Sequence, residues 1–175
     1  MDWWDRHLYE IEFPQEKLRI TNDGETYEEF KFYQKKYKDK ALTKRNDPHG
    51  MIAHILETTI RQPQTLKIDR YLEKYKTITY VYDFGDNWQH KIELEKIIDD
   101  YEFGYPTILE GYGACPPEDV GGIPGYEEFL RVWNDQEDAE HEEMRKWGEN
   151  QYYRPFDIAF RNNLLKTCLK IKKVK

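Results

Sequence analysis

The feature that most limits the fold is an alternation that runs through residues 77–97 and reverses once. Ile78, Tyr80, Tyr82 and Phe84 occupy every second position, and Trp88, His90, Ile92 and Leu94 then do the same. A period of two belongs to strands with one buried face, and two such runs across a short polar turn make a hairpin. Setting Phe84 opposite Trp88 brings Tyr82 opposite His90, Tyr80 opposite Ile92 and Ile78 opposite Leu94, so one apolar face registers across both strands. The turn is then Gly85-Asp86-Asn87, whose third position asks for a left-handed residue, which Asn87 tolerates. The other face carries Thr77, Thr79, Asp83, Gln89, Lys91, Glu93 and Glu95 and is predicted to meet solvent.

Other elements follow from period and punctuation. Residues 7–13 read as a strand stopped by Pro14, and Lys17 to Thr21 as a second, closed by Asn22-Asp23-Gly24. A helix is expected within residues 25–47. Met51, Ile52, Ile55 and Leu56 recur at helical spacing, which predicts a helix from Pro48 to Arg61. Residues 99–125 are dense in Gly and Pro and read as a long ordered loop, of a kind that is uncommon inside domains and often functional. Tyr126, Phe129, Leu130 and Trp133 form the stripe of a further helix. Asp135 is expected to cap the next one, with Met144 and Trp147 inward and Gly148 as its stop. Asp157 is expected to cap a last helix carrying Ile158, Leu165, Cys168 and Leu169.

With 175 residues the chain is long enough for a real core, and a single domain over 1–175 is expected. The net charge of −7 disfavours wholesale coating of nucleic acid. The charge is segregated. Lys31, Lys35, Lys36, Lys38, Lys40, Lys44 and Arg45 make a basic stretch, and residues 127–143 an acidic one, both readable as solvated helix faces. Cys115 and Cys168 are too few for a disulfide framework, and no apolar run approaches a membrane span. These features predict a reduced, cytoplasmic protein with no membrane partner.

Residues 82–125 combine turn residues with carboxylates, a His and a Cys. The runs are Tyr82-Asp83-Phe84-Gly85-Asp86, Trp88 and His90, then Tyr105-Pro106, Ala114-Cys115-Pro116-Pro117-Glu118-Asp119, Gly121-Gly122 and Gly125-Tyr126. His141-Glu142-Glu143-Met144, Trp147 and Phe156-Asp157 continue the pattern, and Trp3 with His7-Leu8-Tyr9-Glu10 precedes it. This pattern resembles the plasmid pRiA4b ORF-3-like family. The resemblance implies an α+β fold with a largely antiparallel sheet, a central hairpin and C-terminal helices packed on one face. It implies no chemistry, since the family carries no established activity. Members begin with a strand pair and a helix ahead of the Trp, so the chain is expected to be N-terminally truncated relative to them. Either the start lies internal to the family's domain, which predicts an exposed apolar face and self-association, or another chain supplies the missing segment. Asn87 stands where members commonly have Gly.

Three functional readings stay open on the residues. The first is a site for a divalent metal built from His7, Asp83, Asp86, His90, Cys115, Glu118 and Asp119, since imidazole, carboxylate and thiolate are the usual ligands. A hydrolase at such a site would use Glu118 or Asp119 as base, with His90 beside them. Against it stand a hydrogen-bonded core role for His90, a packing role for Cys115 and a turn role for Asp86. The second reading, and the preferred one, is a non-enzymatic interaction or accessory module with a protein partner or self-association, favoured by the supply of Tyr and Trp. The third is a nucleic-acid-associated accessory protein of mobile elements, using the basic stretch interleaved with Phe32, Tyr33 and Tyr37.

Overall fold

The structure is a computed structural model that describes Trp3 and residues 6–169. Met1, on which the expectation of a missing opening turns, lies outside them. The described residues fall into two compact units: residues 6–95, and residues 96 onward together with Trp3.

The first unit is built on a five-stranded sheet in the order β3-β2-β1-β4-β5. Its strands are β1 Tyr9–Phe13, β2 Leu18–Thr21, β3 Thr59–Arg61, β4 Thr77–Tyr82 and β5 Trp88–Glu93. All neighbours are antiparallel except β2 and β3, so the α+β class with a largely antiparallel sheet holds. Pro14 ends β1 as expected, and a single turn with Lys17 in a left-handed conformation (φ 47°) returns the chain into β2. Helix α1, Gly24–Tyr37, starts where the Asp23 carboxylate accepts from the Thr26 amide at 3.1 Å. The Thr26 hydrogen bonds hold that carboxyl below its ordinary range.

Ile11, Phe13, Leu18, Ile20 and Ile78 turn one sheet face to Tyr71, with Leu66, Ile68, Leu72 and Tyr75 packed around them. Phe13 stacks on Tyr71 with ring centroids 4.3 Å apart. Tyr71, Leu72 and Tyr75 belong to α3, Asp69–Tyr75, an element not foreseen above. On the opposite face, Ile60 stands level with Arg19 and is buried, as are Phe30 of α1 and Ile52 of α2, Met51–Glu57.

Two expectations are corrected here. The helix predicted from Pro48 to Arg61 covers only Met51–Glu57. It starts late because the Asp47 carboxylate reaches the Ile52 and Ala53 amides, at 3.1 and 2.9 Å, and caps the first turn from outside. It ends early because Thr58-Thr59-Ile60 is β-branched, and the Thr59 amide finds the Lys17 carbonyl at 2.7 Å, which starts β3. The second correction is the hairpin register. Tyr82 pairs with Trp88, Tyr80 with His90 and Ile78 with Ile92, two residues from the expected pairing. The turn is therefore the five residues 83–87, and Phe84 sits in it, exposed. The cause is Asp83, which takes φ 55° and accepts from the amides of Gly85 and Asp86 at 2.9 and 3.4 Å. Such an Asx turn removes Asp83 from the strand. It is buried, not on the solvent face, and its backbone oxygen accepts from the Asn87 amide at 2.6 Å. Asn87 is left-handed as expected (φ 54°).

The second unit opens with the expected irregular loop and continues into α4 Gly122–Asn134, α5 His141–Asn150 and α6 Ile158–Cys168. The loop is held by polar bonds in place of strand pairing. The Asn162 side chain brackets Ile108, accepting from its amide at 2.7 Å and donating to its carbonyl at 3.0 Å. Ala114 bridges Pro155, and the Phe156 amide donates to Gly113 at 2.8 Å. The Trp3 indole N–H donates to the Pro116 carbonyl at 2.8 Å. Helices α4 and α5 pack on each other around Phe129 and Val132, which are fully enclosed, with Trp133, Trp147 and Tyr153 edge-on or tilted around the Phe129 ring.

Details at the helix ends differ from expectation. Asp135 closes α4, and its carboxylate accepts from the Glu137 amide at 3.1 Å, so residues 135–140 form a turn before α5. Gly148 does not stop α5 but lies buried inside it. A Cβ there would come within 2.5 Å of the Trp133 ring and 3.0 Å of Phe129, so it serves close helix packing. Asp157 caps α6 as expected, accepting from the Phe160 amide at 2.9 Å. Yet no residue of α6 is buried, and Ile158 and Leu169 are exposed.

Candidate functional site: a carboxylate-rimmed cleft

In the first unit, His7 and Asp83 come together. His7 Nδ1 lies 3.3 Å from Asp83 Oδ2, and the imidazole sits edge-on to Tyr82 at 5.7 Å between centroids. Asp86 is in the same turn, its amide on the Asp83 carboxylate. His90 is half-buried on β5, beside the Tyr80 ring at 5.5 Å, with Nδ1 3.4 Å from the Tyr80 carbonyl oxygen. The basic stretch begins on α1 as an exposed face where the Lys36 ammonium lies 5.3 Å from the centre of the Phe32 ring and 5.5 Å from that of Tyr37.

In the second unit, Cys115 and Glu118 line a recess of about 20 Å³ with Trp3, Pro116 and Tyr152, room for about one water. Burial pushes the Cys115 thiol up to about 11, and the Glu118 charge adds to that. The thiolate, the form that attacks or binds metal, is correspondingly disfavoured near neutral pH. Cys168 is exposed. Iodoacetamide at pH 8 is therefore expected to label Cys168 first, with Cys115 following only as the pH climbs toward 11. Peptide mass spectrometry over a time course reads this, and equal rates at pH 8 would contradict the buried thiol.

Asp119 belongs to a larger feature. It is left-handed (φ 56°) and exposed, and the chain then passes through Gly121 and Gly122 at φ 90° and 65° to enter α4. A glycine pair adopts two successive positive φ angles without steric cost. This path places Asp119 and Val120 beside α4, and Gly125 lets the two backbones touch: a Cβ on it would meet the Val120 carbonyl oxygen at 1.8 Å. Together with α5 they form a cleft of about 520 Å³. Val120, Phe129, Met144 and Trp147 supply its apolar surface, and Asp119, Glu128, Glu140 and Glu143 its carboxylates. Sequence reasoning placed Met144 and Trp147 on the inner side of a helix and Glu143 on a solvated face, but it did not join them to Asp119. The available signal was that Asp119, Gly125, Glu143, Met144 and Trp147 all carry the family resemblance.

That resemblance is now decided. The family model described as plasmid pRiA4b ORF-3-like protein matches residues 1–163. The chain belongs to the pRiA4b ORF-3-like family. A relative in Sinorhizobium fredii (strain NBRC 101917 / NGR234), the uncharacterized protein y4hQ, is 42% identical over 78 residues, which is 44% of this chain and 40% of that protein. The aligned stretch thus spans less than half of that relative's length. A crystal structure of MM3350, a protein of unknown function from Methanosarcina mazei Go1, is similar with a TM-score of 0.59 at 30% identity, covering 91% of this chain and 75% of that one. Among the described residues of this pRiA4b ORF-3-like chain, no helix is long and apolar enough to cross a membrane.

Proposed function

We propose that this protein is a non-enzymatic interaction module of the cytoplasm, and that the cleft of its helical unit receives a segment of a partner protein. The observation that carries the reading is the cleft itself. Its volume of about 520 Å³ lies in the range of ligand sites, and four apolar side chains line it. Apolar surface that a fold leaves open in a concave, polar-rimmed site is a common mark of recognition. The metal-assisted hydrolase alternative finds less support at Cys115 and Glu118, because Cys115 is held as a neutral thiol and Glu118 faces a recess with room for about one water. Free thiols at both cysteines fit a reducing compartment.

Selection of random peptides displayed on phage tests this reading. Convergent sequences are expected against the wild-type protein, with enrichment lost against Met144→Arg, which sets a charge on the apolar lining while leaving the far-UV circular dichroism unchanged. No enrichment, or equal enrichment on both proteins, sinks the proposal.

A further inference from the structure

We infer that the occupant of this cleft is a lysine-rich amphipathic segment of a partner protein. Its ammonium groups lie at Glu140 and Glu143, and its aliphatic stems and apolar residues lie over Trp147 and Met144. The inference rests on the interaction reading above and adds the partner's chemistry.

Charge complementarity carries it. Glu128 is already committed: Arg131 donates to both of its oxygens, at 2.7 and 2.8 Å, and those bonds hold it below the ordinary carboxylate range. Glu140 and Glu143 have no such partner, since no basic side chain pairs with either among the described residues. Glu140 is the N-cap position of α5 and Glu143 lies in its first turn, so the positive end of the helix offsets part of their charge. That end is equivalent to roughly half a unit charge, which leaves two carboxylates with a net negative field at the cleft. A polyanion such as nucleic acid is repelled there, whereas a cation is drawn in.

Shape narrows the class further. A bare metal ion has no use for an apolar lining, whereas lysine has a four-carbon stem that lies on apolar surface while its ammonium reaches a carboxylate. Trp147, half-buried at the cleft, adds an aromatic ring of the kind that attracts ammonium groups in its own right. At about 520 Å³ the cleft holds more than one side chain, so a segment fits it better than a lone amine. Asp119 at the rim adds negative charge of the same sign.

The test uses a short fluorescein-labelled peptide of alternating lysine and leucine, its glutamate-leucine counterpart, and spermidine. The lysine peptide is expected to bind the full chain, with affinity falling as salt is raised. It should lose about tenfold on the Glu140→Gln, Glu143→Gln double substitution. Both side chains are exposed, so the double variant keeps its fold, which circular dichroism checks. Binding should also change intrinsic tryptophan emission in the wild type and not in Trp147→Phe, which places the peptide at the cleft. Undiminished binding to the double variant, equal binding of the glutamate peptide, or spermidine binding as tightly as the peptide each overturns the inference. Phage selection separates the two proposals: enriched peptides that are neutral or acidic end this one and leave the interaction reading standing, and no enrichment ends both.

Discussion

Gly125→Ala is expected to lower the stability of the helical unit by about 3 kcal/mol or more, among the larger costs that overpacking produces. The added methyl would sit 1.8 Å from the Val120 carbonyl oxygen and 2.8 Å from its carbon. The obstacle is main chain, held by the left-handed Asp119 and the Gly121-Gly122 turn on either side of Val120, so no rotamer change relieves it. Alanine's better helix propensity returns only about 1 kcal/mol. For a chain this size, 3 kcal/mol corresponds to a fall of about 6–12 °C in the melting temperature. Because Gly125 and Val120 both line the cleft, peptide binding should fail along with stability. Gly24→Ala is the matched control: nothing lies within 4 Å of its added Cβ, and the melting temperature should hold or rise slightly. Thermal denaturation of both variants reads the difference, and a Gly125→Ala protein as stable as the wild type would refute the close approach.

Asp83→Ala is expected to cost about 2–3 kcal/mol, the range for losing buried hydrogen bonds to a charged acceptor. One carboxylate oxygen takes the Gly85 and Asp86 amides, and the other faces His7 at 3.3 Å. Removing it leaves turn amides without their acceptor and sets an alanine at φ 55°, where a side chain with no local hydrogen bond is strained. Asp83→Asn keeps an amide oxygen for the turn and tolerates the left-handed backbone, so its cost should be about 1 kcal/mol. Urea melts of the two variants separate turn chemistry from burial. Equal losses would mean that the charge facing His7, and not the turn, is what matters.

The hairpin shows how far the sequence can be read. The alternation identifies both strands and the face they share, because a period of two is a local property. It does not fix the pairing, since a slip of two residues leaves every side chain on the same face. What decided between registers was the turn chemistry of Asp83, a residue that the alternation assigns to solvent. The same reasoning explains α2 and β3: helical spacing is visible in Met51, Ile52, Ile55 and Leu56, but the hydrogen bond from Thr59 to Lys17 joins residues far apart in sequence. The apolar stripe of α4 needed no such partner and was legible at once. The cleft was not legible as a site. Asp119 is brought to Glu143 by a left-handed path through three residues and by helix packing, neither of which has a periodic signature. The metal-ligand candidates come from both units, with His7, Asp83, Asp86 and His90 in one and Cys115, Glu118 and Asp119 in the other.

Gly148 has a bearing on recognition although it lines no part of the cleft. The groove is walled by α4 on one side and α5 on the other, so its width depends on how closely their axes approach. That approach is set by the missing side chain at position 148, against which the rings of Trp133 and Phe129 rest. The aperture offered to a partner is thus governed from behind. A larger residue at 148 would wedge the helices apart and re-tune which segments fit, without itself entering the cleft.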